Sequence, residues 1–346
     1  PRHMLFNSAG FLFLFLPIAV IGFYVFGRLG RAWATTWLVF ASLYFYADWR
    51  PEYLWIILAS IGFNYSIGRA LAFEHRSAGV RRLMLGAGIA VNLGALGYYK
   101  YTRFVLENVD YLLRAEVTVP EIVLPLAISF FTFQQIAYLC DAYAGYCREY
   151  DFMSYCLFVT FFPQLIAGPI VHHSEMLPQF GRQEARQPSV QNFNVGLSIL
   201  AIGLFKKVVI ADGVAPYATG IFAVADGGGN VSTVQAWGGA LAYTLQLYFD
   251  FSGYSDMAVG AARLFGIRLP LNFFSPYKAG NIIEFWRRWH VTLSRFLRDY
   301  LYIPLGGNRW GRARRYRNLL ITMVLGGIWH GAGWNFLIWG TLHGLY

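Results

Sequence analysis

Of the seven histidines in this sequence, His330 has the surroundings that most clearly point to chemistry. It lies in Gly326-Gly-Ile-Trp-His330-Gly-Ala-Gly-Trp-Asn335, inside the 28 residues from Leu319 to Tyr346, which contain no Asp, Glu, Lys or Arg. At 1.5 Å per helical residue, His330 is about 20 Å from the charged edge at Arg317, which is membrane depth. An ionisable side chain at that depth is costly and reads as functional. The four glycines around it weaken a regular helix and let a ligand or a neighbouring backbone approach closely. Burial favours the neutral imidazole, the form a general base needs. The plain alternative is a histidine hydrogen-bonded between helices. His343, in the same tail but without that nest of glycines, reads as structural.

A second stretch runs from Asn281 through Glu284-Phe-Trp-Arg-Arg-Trp-His290 to Pro304. On a wheel of 100° per residue, Phe285, Trp286, Trp289, Leu293, Phe296, Leu297 and Leu301 share one arc of about 160°. Arg287, Arg288, Arg295 and Arg298 fall in a separate arc of about 100°. The pattern predicts a basic amphipathic helix that lies at the membrane face or plugs a cavity. His290 falls on the apolar arc, where a packed histidine and a functional one are both open readings.

Asp250 and Asp256, in Phe249-Asp-Phe-Ser-Gly-Tyr-Ser-Asp256, sit in apolar surroundings. They are either a proton-handling pair or anchors for helix ends and basic side chains, and anchors are favoured because buried acids are tolerated mainly when paired. His172 and His173, being adjacent, point to different faces and make a poor metal pair. Cys140, Cys147 and Cys156 lack ligand spacing and read as small apolar fillers, so no disulfide and no metal site is expected. His75, between Glu74 and Arg76, reads as solvated. The P-loop, HExxH and GxSxG motifs are absent.

The elements that must position these residues follow from composition. The 346 residues are 57% hydrophobic and 13% charged, with 30 Phe, 23 Tyr and 11 Trp. A soluble domain carries about 25% charged residues, so a polytopic membrane protein is implied. Apolar runs lie near 9–26, 33–47, 53–73, 83–99, 122–140, 153–171, 193–211, 234–251, 254–266 and 319–346. They predict an all-α assembly of about nine to eleven transmembrane or re-entrant helices. Pro1-Arg2-His3 reads as a vector remnant, and residues 4–346 as a single membrane domain. The apolar end at Tyr346 suggests that the natural chain continues. Nine arginines between Ile282 and Arg317, against Glu284 and Asp299, hold +7 of the net +10. In so apolar a chain this block suits a cytoplasmic membrane surface and its lipid better than nucleic acid. Loop arginines place the N-terminus outside, loop 69–82 and the 309–317 stretch in the cytoplasm, and the mixed loop 100–121 outside.

Several blocks, in order, resemble the membrane-bound O-acyltransferase family, and most of all its bacterial polymer-modifying branch with the alginate-acetylating members. They are Phe11-Leu-Phe-Leu-Phe-Leu-Pro17, Leu124-Pro-Leu-Ala-Ile-Ser-Phe130, Phe162-Pro-Gln-Leu-Ile-Ala-Gly-Pro169, Leu247-Tyr-Phe-Asp-Phe-Ser-Gly-Tyr-Ser-Asp-Met257, Glu284-Phe-Trp-Arg-Arg-Trp-His290, Leu297-Arg-Asp-Tyr-Leu-Tyr-Ile303, Leu305-Gly-Gly-Asn308 and Trp329-His-Gly331. The resemblance implies helices around a central funnel, with His330 matching the family's catalytic histidine and His290 the second histidine of the branch. It also implies an acyl group taken from a cytoplasmic thioester and delivered to a hydroxyl at or beyond the outer face of the bacterial inner membrane. A periplasmic serine-hydrolase-like (SGNH) acetyltransferase and a polysaccharide synthesis or export complex are the implied partners.

Acyl transfer needs a base for the attacking hydroxyl and polar groups for the developing oxyanion. His330 is assigned as base, and His290 as an orienting group or proton relay. Arg287, Arg288 and the arginines of 309–317 suit either the phosphates of acetyl-coenzyme A or an acidic carrier protein, or anionic lipid. Asn281, Trp286, Trp334 and Asn335 are further candidates for holding substrate or donor, and no bound cofactor is expected. The expected activity is O-acetylation of an alginate-like exopolysaccharide. D-alanyl transfer to teichoic acid and O-acetylation of peptidoglycan or cellulose are alternatives within the fold. A non-catalytic scaffold, or a proton-coupled transporter using Asp250, Asp256 and His330, are alternatives of another class.

Overall fold

A backbone inside hydrocarbon has no water to bond, so each segment must satisfy its own polar groups. The computed structural model describes residues 4–72, 77–114, 118–147, 151–166 and 168–346, and no strand occurs among them. Pro1-Arg2-His3 and the Glu74-His75-Arg76 segment lie outside the described residues. The helices of the first half are α1 (Phe11–Leu29), α2 (Arg31–Ala47), α3 (Leu54–Ala72), α4 (Ala78–Leu113), α5 (Ile128–Tyr143), α6 (Phe152–Thr160), α7 (Phe162–Leu165) and α8 (His173–Gly181). Those of the second half are α9 (Val190–Leu204), α10 (Asp212–Asp226), α11 (Thr233–Leu264), α12 (Ile282–Arg288), α13 (Val291–Leu297), α14 (Arg312–His330) and α15 (Trp334–Leu345). Among the described residues, three stretches are long and apolar enough to cross a membrane by length and hydropathy: Phe11–Leu29, Pro51–Ala72 and Val190–Asp226.

The chain forms two compact units. The first comprises residues 1–49, 160–169 and 175–274. Its centre is the pair α9 and α11. Without a hydrophobic drive between helices in lipid, close backbone approach has to supply the attraction. Glycines seven residues apart on each helix provide it. A Cβ added at Gly203 would lie 2.6 Å from the Gly253 carbonyl, and one at Gly260 would lie 2.7 Å from the Gly196 carbonyl. The pairing of 196 with 260 and 203 with 253 makes the two helices antiparallel.

Gly253 therefore sits inside a continuous helix. The separate runs 234–251 and 254–266 expected from hydropathy are one element, started by a Ser232–Gln235 capping box. Between α9 and α10 the helix widens into a π-helical stretch, Phe205–Ala211, which carries two consecutive lysines. Lys206 bonds Asp256 at 2.6 Å, and Lys207 reaches Asp250 at 2.5 Å and Asp212 at 2.7 Å. The two acids of α11 are thus charge-paired anchors.

The second unit comprises residues 50–159, 170–174 and 275–346. Asn64 of α3 and Asn92 of α4 exchange amide hydrogen bonds of 2.6 and 3.1 Å, and Gln135 of α5 donates to Ser60 at 2.8 Å. α14 and α15 form a hairpin in which a Cβ at Gly340 would lie 2.5 Å from the Met323 carbonyl. α4 runs to Leu113, so Lys100 and Arg103, assigned above to an outer loop, are helical. Hydropathy ends a span where charge begins, but no Gly or Pro stops the helix there, and an Arg103–Glu107 pair at 2.7 Å supports the next turn.

Gly203→Val should destabilise the first unit by about 1–3 kcal/mol through overpacking. Gly213→Ala, whose new Cβ meets nothing within 4 Å, should be neutral or stabilising by about 0.5–1 kcal/mol. Thermal unfolding of the detergent-solubilised protein, followed by tryptophan fluorescence, separates the two.

Candidate active site

His330 is the last residue of α14. The chain then runs extended through Gly331, and α15 begins at Trp334. Gly331 is required for space, since a Cβ there would overlap the Phe336 ring. The His330 ring lies 5.0 Å from the Trp329 ring and 5.0 Å from the Trp339 ring, the latter at 87°. Two side chains of α4 hold the helix end beneath it. Lys100 Nζ donates to the Trp329 carbonyl, and Tyr101 donates from its hydroxyl to the Ile328 carbonyl at 2.6 Å.

His290 is buried, 1% exposed. It is not on a single amphipathic helix. The 281–304 segment breaks at Trp289–His290 into α12, α13 and a π-helical turn, Arg298–Tyr302. The break is at His290 itself, whose φ of 42° and ψ of 53° are left-handed. Such a backbone state costs of order 1–3 kcal/mol and is concentrated at functional sites. By ending α12 and restarting the chain as α13, it changes which residues share a face, so the wheel drawn for a continuous helix does not apply. Leu293 of α13 and Trp329 of α14 belong to one buried apolar cluster with Ile170 and Phe296, and Phe133 stacks on Phe296 at 4.5 Å and on Trp329 at 5.1 Å.

The other candidates divide by what they touch. Asn281 caps α12, accepting from the Glu284 amide at 2.9 Å. Arg288 pairs with Glu284 at 2.5 Å, and Arg287 is exposed. Trp334 donates to Asn108 at 2.9 Å, and Asn335 is exposed. Trp286 meets His343 at 5.2 Å and Trp339 at 5.9 Å, so it belongs to the aromatic cluster that includes the His330 ring. The Nε1 atoms of Trp286 and Trp329 and Nδ1 of His343 are buried without a hydrogen-bond partner. Asp250 and Asp256 are in the first unit, on their lysines.

A polar network was missed. His172 Nδ1 meets the Tyr300 hydroxyl at 3.0 Å, and that hydroxyl donates to Asp141 Oδ2 at 2.8 Å. The same carboxylate oxygen lies 3.0 Å from His173 Nε2, and Cys147 Sγ stands 3.2 Å from that nitrogen. Adjacent histidines do diverge, as expected, but both return to one Asp141–Tyr300 pair. Cys147 is thus a polar contact rather than an apolar filler, and burial raises its thiol well above the ordinary range. Asp141 and Cys147 meet the same ring nitrogen, which is not the arrangement of a nucleophilic triad. No group of three or more His, Cys, Asp or Glu among the described residues is arranged to hold a metal ion.

His330 at the end of α14 and the buried His290 at the start of α13, set among aromatic side chains in an all-helical chain of membrane composition, mark the candidate site of a membrane-embedded enzyme. Residues 142–346 match the family model described as MBOAT, membrane-bound O-acyltransferase family. The chain is 47% identical over 369 residues to the peptidoglycan O-acetyltransferase of Helicobacter pylori, covering 99% of this chain and 69% of that protein. It is 43% identical over 352 residues to the probable alginate O-acetylase of Azotobacter vinelandii, covering 99% and 68%. It is 27% identical over 228 residues to the teichoic acid D-alanyltransferase of Streptococcus thermophilus, covering 64% and 55%. The chain belongs to the membrane-bound O-acyltransferase family and is an acyltransferase. It spans about two thirds of the length of the curated relatives that it matches along its whole length.

Asp141→Ala should take one partner from the half-buried Tyr300 hydroxyl and one from the His173 ring, leaving His172 and Cys147 as their remaining contacts, at about 0.5–1.5 kcal/mol for each bond lost. Asp141→Asn, which keeps an acceptor oxygen, should lose less in the same thermal unfolding. At α12, the Gly280 amide (2.9 Å) and then Arg288 hold the Glu284 carboxyl below the usual carboxylate range. A depressed folded-state value stabilises above the ordinary carboxylate pKa and is lost as pH falls through the folded value. The acid loss of α12 structure should therefore be absent in Glu284→Gln, read by the fluorescence of Trp286 and Trp289 as pH falls below the ordinary Glu value of about 4.3.

Proposed function

We propose that this chain carries an acetyl group from a cytoplasmic thioester to a hydroxyl of an extracytoplasmic polysaccharide, or to a periplasmic protein that completes the transfer, with His330 as general base. The observation that carries the reading is His330 itself, an imidazole at the end of a helix with the Trp329 and Trp339 rings each 5.0 Å away. The acceptor hydroxyl gives its proton to the neutral ring while its oxygen attacks the thioester carbonyl. The tetrahedral oxyanion then collapses, the C–S bond breaks, and the leaving thiolate takes the proton back from the imidazolium. The buried indole N–H groups of Trp286 and Trp329 are suited to the acyl oxygen as its charge develops. His290 orients the base or relays its proton.

The basic start of α14 supports an anionic donor. Arg312, Arg314, Arg315 and Arg317 are exposed, and no carboxylate pairs with them among the described residues. They stand at the helix end that already carries the positive pole of the dipole, where phosphates or an acidic carrier surface would be attracted. Acetyl-coenzyme A and a carrier-protein thioester both meet that demand, and anionic lipid is the competing occupant. A multi-pass position in the bacterial inner membrane, with this end in the cytoplasm, follows from the same arginines and from Arg81 and Arg82 at the start of α4. The relatives acetylate alginate or peptidoglycan according to their names, and a glycan hydroxyl is the acceptor chemistry they share. A serine-hydrolase-like partner and a polysaccharide synthesis or export complex complete the reading. Nucleic acid has no part in it.

Purified protein incubated with radiolabelled acetyl-coenzyme A and polysaccharide should transfer label. His330→Ala should lower the rate by on the order of 10³, within the range for a removed general base, with unchanged membrane insertion. Full transfer by His330→Ala would reject the assignment.

A further inference from the structure

The helix that ends at His330 is held at both sides of its break by one neighbour. On α4, Lys100, Tyr101, Phe104 and Asn108 share a face of about 100°. Before the break, Lys100 donates to the Trp329 carbonyl and Tyr101 to the Ile328 carbonyl. After it, Phe104 packs on the Trp334 ring at 5.8 Å, and Asn108 accepts from the Trp334 indole at 2.9 Å. Between these two grips hang only His330, Gly331, Ala332 and Gly333. The last carbonyls of a helix lack partners within it. Here the final intrahelical bond, Gly331 to Gly327, is stretched to 3.4 Å. The next two carbonyls are the ones that α4 takes. Lys100 also donates to Ser129 at 3.2 Å, and its ammonium stands 5.7 Å from the Trp329 ring. No carboxylate pairs with it among the described residues. A cation at a helix C-terminus complements the negative pole, whereas a lone charge at membrane depth is expensive unless it serves the site.

We infer that Lys100 is a positioning residue for acyl transfer. It fixes the end of α14, and with it the direction of His330, and keeps an uncompensated positive charge beside the reacting centre, with Tyr101 completing the grip. The inference rests on His330 being the base, and it adds a residue that acts through His330 rather than on the substrate.

The test is steady-state thioester turnover by the full chain with acetyl-coenzyme A, with thermal unfolding measured on the same preparations. Lys100→Met should lower kcat at least 50-fold while KM for the thioester stays within twofold. Lys100→Arg, which restores donor and charge, should recover to within about fivefold of wild type. Tyr101→Phe, which removes a single hydroxyl, should lower kcat several-fold. If Lys100→Met does not fold, the arginine and phenylalanine variants decide alone. Unchanged kcat in Lys100→Met or in Tyr101→Phe overturns the inference, as does an inactive but folded Lys100→Arg. A wild-type chain that turns over no acetyl thioester overturns the acyl-transfer reading itself, and the inference falls with it. Wild-type turnover with an indifferent Lys100→Met overturns only the positioning role.

Discussion

A helix that stops in an apolar region has to find donors for its last carbonyl groups, because no water is there to supply them. That constraint governs the surroundings of His330. α14 can end at His330 only because Lys100 and Tyr101 of α4 take the Trp329 and Ile328 carbonyls. The break is usable only because Gly331 leaves room for the Phe336 ring. His330 is therefore placed by backbone satisfaction first and by side-chain packing second. A histidine in mid-helix would be fixed by the helix alone, with its ring directed along the helix side. At the end of a helix its ring lies against Trp329 and Trp339.

The same economy appears wherever the chain brings helices together. In the first unit α9 and α11 meet through glycines seven residues apart, where contact of backbones replaces a hydrophobic drive that lipid does not supply. The two lysines there are compensated, Lys206 by Asp256 and Lys207 by Asp212 and Asp250. In the second unit the neutral equivalents are the Asn64–Asn92 exchange and the chain from Tyr155 through Gln135 to Ser60. Lys100 departs from this pattern. It has carbonyl and hydroxyl partners and no carboxylate, which is why its placement beside the site carries meaning while that of Lys206 does not.

What could be read from the sequence depended on whether the signal was local. His330 stood out because a tail without Asp, Glu, Lys or Arg makes its two histidines conspicuous, and the glycines around His330 announced a break. Asp250 and Asp256 were readable as anchors, since unpaired acids in apolar sequence are expensive. Lys100 was hidden because hydropathy closes a span at the first charges, while helix geometry continues until something breaks it, here as far as Leu113. His290 was placed on a wheel that presumes a continuous helix, and its own left-handed backbone is the interruption. The Asp141, Tyr300, His172 and His173 network was invisible for a different reason. Its members lie as far apart as 159 positions, and no local pattern encodes their meeting.

The distribution of positive charge on α14 connects the two ends of the proposed reaction. Lys100 lies at the negative pole, where a cation is favoured, whereas the arginines at the opposite end stand with the positive pole, where cations repel one another and the dipole alike. The second arrangement costs stability unless anions are drawn to it, so it is better understood as a device for capture than as support for the helix. From Arg312 to His330 the helix rises about 27 Å. An arginine at the mouth therefore cannot touch a thioester that reacts beside His330. Any binding energy collected there reaches the reacting carbon only through the length of the donor, which it can hold in place while the imidazole performs the chemistry.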